Sequence, residues 1–165
     1  MLDSSTRVLV AGVGNVFLGD DGFGVEVARR LDARRLPDGV RAADFGLRSL
    51  HLAYEMLDHP EALTVIVDAM SRGAAPGTLF LVEPEGVTAP ATPGDAHSVT
   101  PDGVLAMVHA LGGASPRVVI LGCEPASCDE RMGLSPAVEA AIDGAVDMIL
   151  SLVATLDQEK ARPCA

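Results

Sequence analysis

Apolar positions along the chain fall into two alternating rhythms. Five short runs, at 7–11, 40–44, 63–68, 78–82 and 117–122, read as strands. Three of them are nearly continuous and rich in β-branched residues, as expected of strands covered on both faces. Between the runs the spacing changes to three and four. Phe23, Val27 and Leu31 recur every fourth position, and Leu47, Leu50, Tyr54 and Leu57 follow a 3-4-3 rhythm. Val104, Val108 and Leu111 form a further stripe, and Val138, Ile142, Ala145, Ile149, Leu152 and Leu156 form the longest. Each stripe predicts an amphipathic helix with that face toward the core.

Helix start signals agree. Thr100-Pro101-Asp102 offers an N-cap, a proline at the first helical position and an acid in the first turn, and Ser135-Pro136 does the same for the last helix. Strands alternating with helices predict a three-layer α/β/α sandwich around a five-stranded, mostly parallel sheet. The join from Asp68 to Thr78 is too short and glycine-rich for a crossover helix, so the fourth strand is expected to be the one antiparallel member. Residues 86–95 (GVTAPATPGD) read as a proline-rich loop and 157–165 as a frayed tail. With no internal repeat and no linker, residues 1–165 are expected to form a single domain with a substantial core.

Composition narrows the picture. With four Phe, one Tyr and no Trp, the core must be built from Val, Leu, Ile and Ala. The net charge of −11 repels phosphate backbones and argues against nucleic acid as a partner. It would suit a positively charged partner, but it also serves solubility. Three cysteines, Cys123, Cys128 and Cys164, do not make a disulfide framework. The N-terminal residues lack a secretory pattern, and no apolar run approaches the ~20 residues needed to span a bilayer. A soluble cytoplasmic protein with no membrane partner is expected.

Open α/β sheets bind ligands beyond the carboxyl ends of their strands. Asp20 and Asp21 follow the first strand, Asp68 ends the third, and His97 stands before a helix start; Asp44, ending the second strand, is a further candidate for the same crevice. Two carboxylates and an imidazole suit a borderline divalent metal with positions left open for substrate. Each residue also has a plainer role available. Asp21 lies where acids complement a helix N-terminus, Asp68 could close an Asx turn, and His97 could be a loop histidine. It is their convergence on one rim that favours a site.

Gly12-Val13-Gly14 invites a dinucleotide-binding reading, but position 17 is Phe rather than Gly, and two carboxylates at the helix start would repel a pyrophosphate. The chain has no Gly-x-Ser-x-Gly elbow and no His-Glu-x-x-His pair. Cys123 and Cys128 lack a companion cluster for zinc; Cys123 reads as core, and nothing nearby in sequence would make it a thiolate. His51, His59 and His109 read as surface or packing residues.

The segment GVGNVFLGDDGFGVEVARRL, the strand end VIVDAM, the turn Pro76-Gly77-Thr78, His97 before its helix and GLSPAVEAAI from Gly133 together resemble the hydrogenase maturation endopeptidases. The similarity runs from Val8 to about Leu156. It implies a phosphorylase/hydrolase-like fold and an enzyme that removes the C-terminal extension of a [NiFe] hydrogenase large-subunit precursor after nickel insertion. It further implies that Asp21, Asp68 and His97 form a carboxylate/histidine metal site that senses the nickel, which arrives with the substrate, and positions the scissile bond. The first ligand is Glu in some members of that family and Asp in others. The loop Asp44-Phe45-Gly46-Leu47 resembles a family segment that more often carries two adjacent glycines, and Phe45 departs from it. A monomer without bound nucleotide is expected. Two other classes stay open on the residues alone: a metal-sensing assembly module that does not cut, and a dinucleotide-binding protein.

Overall fold

A computed structural model of the chain describes residues 6–84, 100–114 and 116–161. All five apolar runs form strands: β1 (Val8–Val13), β2 (Val40–Gly46), β3 (Leu63–Ala69), β4 (Leu79–Val82) and β5 (Arg117–Cys123). They lie in one sheet of order β2-β1-β3-β5-β4. The first four strands of that order run parallel, and β4 pairs antiparallel with β5, as the short join before it requires. Helices α1 (Phe23–Asp32), α2 (Ser49–Asp58), α3 (Pro101–Ala110) and α4 (Pro136–Ala161) connect and cover the strands, and a single 3-10 turn, Gly19–Gly22, precedes α1. The mostly parallel α/β architecture is the one the sequence predicts.

Strand periodicity sorts the core into two layers. Val8, Val10, Val65, Val67, Val119 and Leu121 pack with α1 and α4, where Phe23, Leu31, Ile142 and Ile149 meet them. Leu9, Ala11, Val13, Ile66, Val118 and Ile120 face α2 and α3 and pack on Leu52, Met56, Val104 and Val108. The central strands β1 and β3 are buried on both faces over nearly their whole length, which is why their apolar runs do not alternate.

The α2 stripe is a correction. Leu47, Leu50 and Tyr54 are exposed, and the core face is Leu52, Ala53 and Met56, with Leu57 half-buried beside it. The helix begins only at Ser49, so Leu47 lies outside it, and two apolar stripes compete on its short surface. Similarly, Leu111 is exposed because α3 ends one residue earlier. The tail does not fray at Asp157: α4 continues to Ala161, and the Asp157 carboxylate accepts from Nη1 and Nη2 of Arg7 at the foot of β1. Thr100 caps α3 as expected, its hydroxyl accepting the Gly103 N–H at 3.2 Å. The proline-rich loop 86–95 lies outside the described residues.

Two glycines set how closely α1 lies on the sheet. A Cβ on Gly24 would stand 1.9 Å from the Val67 carbonyl oxygen and 2.5 Å from that of Val13. One on Gly12 would stand 2.1 Å from the Gly24 carbonyl oxygen. The helix backbone therefore rests directly on β1 and β3, and the turn that precedes it comes down over the carboxyl end of β3.

Candidate active site

The loop after β1 is shaped by Gly14 and Asn15. Gly14 has φ +123°, and a Cβ there would meet the Asp21 carbonyl oxygen at 1.9 Å. Asn15 accepts the Phe17 N–H on its side-chain oxygen at 3.0 Å, closing an Asx turn. Its own N–H donates to Asp21 Oδ2 at 2.7 Å. The loop thus folds back on the acidic turn and orients the Asp21 carboxylate, which is half-buried.

Asp68 stands one residue from the end of β3 and is buried. Burial pushes its carboxyl up to about 8, and the charge of Asp21 adds to the rise, against a hydrogen bond from the Ala69 backbone that lowers it. Two of the three expected ligands are thereby brought close enough to repel each other. The third, His97, lies outside the described residues.

Asp20 and Asp21 are adjacent in sequence but differ in environment. Asp20 is fully buried, and its carboxylate accepts the N–H groups of Ala126, Ser127 and Ser135 and the Ser135 hydroxyl. Burial alone would raise it; the hydrogen bonds outweigh that cost and hold it below the usual carboxylate range. This also changes the part given to Ser135. Its hydroxyl donates to Asp20 at 2.9 Å at the start of α4. Asp44 is engaged elsewhere: its carboxylate pairs with Arg29 of α1 at 3.1 Å, and its carbonyl accepts from Arg48. Phe45 is a core residue, set edge-on to His51.

Cys128 lies nearer the acidic turn than its place in the sequence signals. It is exposed, on the segment that Asp20 holds, and close enough to the acidic residues to feel them. Partial burial and the charges of Asp21, Asp20 and Asp68 push its thiol up, against a hydrogen bond from the Asp21 backbone. Cys123 is buried in the core, and burial together with the charges of Asp20 and Glu124 pushes it up to about 11. Neither thiol is poised as a nucleophile. The long separation between Asp21 and Cys128 in sequence leaves no local signal for their proximity.

The donor set fits a divalent cation in kind. Two carboxylates lie within electrostatic reach of each other at a strand end, the buried one holding its proton up to about 8, and a cation would relieve both the burial and the repulsion. Among the described residues no three His, Cys, Asp or Glu side chains form a group able to hold a metal. Also among the described residues, no helix is long and apolar enough to cross a membrane.

An α/β sheet with a carboxylate rim and unactivated thiols is a scaffold for hydrolysis that does not pass through a cysteine. Comparison with known proteins gives the family. The model for hydrogenase maturation proteases matches residues 25–152, and the chain belongs to that family of endopeptidases. It is 36% identical over 144 residues to the hydrogenase expression/formation protein HupD of Rhodobacter capsulatus, covering 85% of this chain and 68% of that protein. It is 33% identical over 148 residues to the hydrogenase 2 maturation protease of Escherichia coli, covering 88% and 89%. Among solved structures it resembles the hydrogenase maturating endopeptidase HybD from E. coli, with a TM-score of 0.73, 30% identity and coverage of 91% and 93%.

Proposed function

We propose that this endopeptidase removes the C-terminal extension of a [NiFe] hydrogenase large-subunit precursor once nickel has been inserted, and that Asp21, Asp68 and His97 engage the nickel the precursor carries. Asp21 on the turn before α1 and the buried Asp68 at the end of β3, two carboxylates from different elements within reach of each other's charge, support the reading. His97 joins on the family resemblance and on its position three residues before Thr100, the N-cap of α3. Nickel is cargo of the substrate here, and no nucleotide is involved. The protein acts as a monomer in the cytoplasm.

When bound, the cation would polarise the scissile carbonyl or a water molecule. The chain supplies the rest. Asn15 fixes the direction of Asp21, so its carboxylate meets the incoming centre without reorganising. Asp68 gives up its proton on engagement and so presents a second anionic oxygen. Either carboxylate can then orient a water and accept its proton as the peptide bond is attacked.

Mass spectrometry of a nickel-loaded precursor before and after incubation with this protein tests the reading. Loss of a C-terminal peptide is the expected result. Precursor captured but left intact would indicate an assembly module that does not cut.

A further inference from the structure

Asp20 is absent from the chemistry above, yet it is the most heavily hydrogen-bonded side chain near it. Oδ2 accepts Ala126 N–H at 2.7 Å, Ser127 N–H at 3.1 Å and the Ser135 hydroxyl at 2.9 Å, and Oδ1 accepts Ser135 N–H at 2.6 Å. Backbone bonds run alongside: Asp20 N–H to the Ser127 carbonyl at 3.0 Å, Gly19 N–H to that of Arg131 at 2.8 Å, and Arg131 N–H to that of Phe17 at 3.0 Å. The segment 126–135 is thus stitched to the turn Gly19–Gly22 around one buried carboxylate.

The turn needs that support. A four-residue 3-10 turn closes few bonds of its own, and Leu18 before it offers no side-chain cap. On one side it is fixed by Gly14 and Asn15, which touch Asp21 itself. On the other side it is held by Asp20. We propose that Asp20 is a positioning residue for the peptidase reaction: by clamping segment 126–135 onto the turn, it fixes the backbone that carries Asp21. This rests on the reading that Asp21 and Asp68 form the reacting site.

The test compares Asp20→Asn with Val153→Ala, a core truncation in α4 remote from the turn. An amide in place of the carboxylate keeps the shape but turns one acceptor into a donor facing N–H groups, so the clamp must part. Cleavage of nickel-loaded precursor is measured under single-turnover conditions, with precursor affinity, below the melting range of each variant. Asp20→Asn should lower the saturated rate at least about tenfold while affinity stays within about threefold, because misplacement acts on the chemical step. Val153→Ala should keep its rate within about twofold despite a lower melting temperature. A wild-type rate for Asp20→Asn, or an equal loss in Val153→Ala, would overturn the proposal. Where Asp20→Asn does not fold, Ser135→Ala takes its place, removing the hydroxyl contact alone; a slowed saturated rate supports the clamp and a wild-type rate overturns it. If the wild-type protein itself leaves the precursor uncut, the functional reading fails separately. Amide exchange at Asn15 and Asp21 then decides: about tenfold faster exchange in Asp20→Asn but not in Val153→Ala supports the clamp, and unchanged exchange overturns it.

Discussion

Asp21 on the 3-10 turn and Asp68 at the end of β3 lie within reach of each other's charge, and Asp68 carries the cost. Buried and facing a like charge, its carboxyl is held up at about 8. Both residues are fixed by backbone that could hardly be placed otherwise. Gly24 lets α1 rest on the Val67 carbonyl, next to Asp68, and the Asn15 N–H holds the Asp21 carboxylate at 2.7 Å. A pair that repels itself adds nothing to folding, and its presence at a strand end fits a functional role.

The first prediction is a pH dependence of stability. Unfolded, Asp68 ionises near 3.8; folded, it keeps its proton up to about 8. The unfolded chain therefore loses this proton first, and the carboxyl's contribution to stability, full below about 4, falls as pH rises and is lost by about 8. Asp68→Asn stays neutral throughout and should lack that descent. At one pKa unit per about 1.4 kcal/mol, the variant should exceed wild type at pH 8 by roughly 2–5 kcal/mol. Urea unfolding of both proteins at pH 5 and pH 8 measures it; equal pH slopes would sink the assignment.

The same proton couples to metal binding. A divalent ion engaging Asp68 near neutrality must displace it, so Ni2+ affinity should climb as pH rises toward 8 and binding should release protons. Calorimetric titration of Ni2+ into the protein in two buffers of different ionisation enthalpy reads that release directly. Heats that agree between the buffers would show that Asp68 takes no part.

Removing the proposed ligands should separate activity from fold. Asp21→Ala and His97→Ala are expected to abolish precursor cleavage. Neither residue lies in an apolar stripe, so neither truncation should open a core cavity and both variants should fold; Asp21→Ala gives up the bond from the Asn15 N–H, a cost of about 0.5–1.5 kcal/mol. Asp21→Ala also relieves the repulsion on Asp68, which should offset part of that loss. Full cleavage by His97→Ala would remove the histidine from the site.

Much of this fold is legible in one dimension, because burial on both faces leaves β1, β3 and β5 as continuous apolar runs that no helix of this length would produce. The direction of β4 is legible because chain length alone forbids a crossover before it. The rim position of Asp21 and Asp68 follows from strand ends. The failures share a different cause. Leu50 and Tyr54 form as good a stripe as Leu52 and Met56, and only the packing of α2 on the sheet chooses between them. The different fates of Asp20 and Asp21 depend on a segment more than a hundred positions away that donates to one and not the other. Cys128 comes near the acidic turn for the same reason. Long-range hydrogen bonding has no periodicity to read.

The cysteines offer a contrast between stability and activity. Cys123→Ser places a hydroxyl in a core lined by Leu, Val and Ile, and an imperfectly satisfied buried hydroxyl costs about 1–3 kcal/mol. Cys128→Ser, on an exposed position, should melt as wild type. Both should retain cleavage, since neither thiol is activated. Thermal melts beside a cleavage assay decide it, and loss of cleavage in a stably folded Cys123→Ser would return cysteine chemistry to consideration.

The most severe single change should be at a residue with no chemistry. In Gly24→Ala the added methyl would fall 1.9 Å from the Val67 carbonyl oxygen and 2.5 Å from that of Val13, and neither is a side chain able to swing away. Either α1 lifts from β1 and β3 or the strands part. Overpacking in a core typically costs about 1–3 kcal/mol when side chains can adjust; against backbone the cost should reach or exceed that range. Lifting α1 would also carry the Gly19–Gly22 turn away from Asp68. Where the variant still folds, cleavage should therefore fall further than its melting temperature alone explains. Gly73→Ala provides the comparison, since a Cβ there meets nothing within 4 Å and its positive φ alone is strained. Equal melting temperatures for the two variants would show that α1 does not rest on the sheet through Gly24.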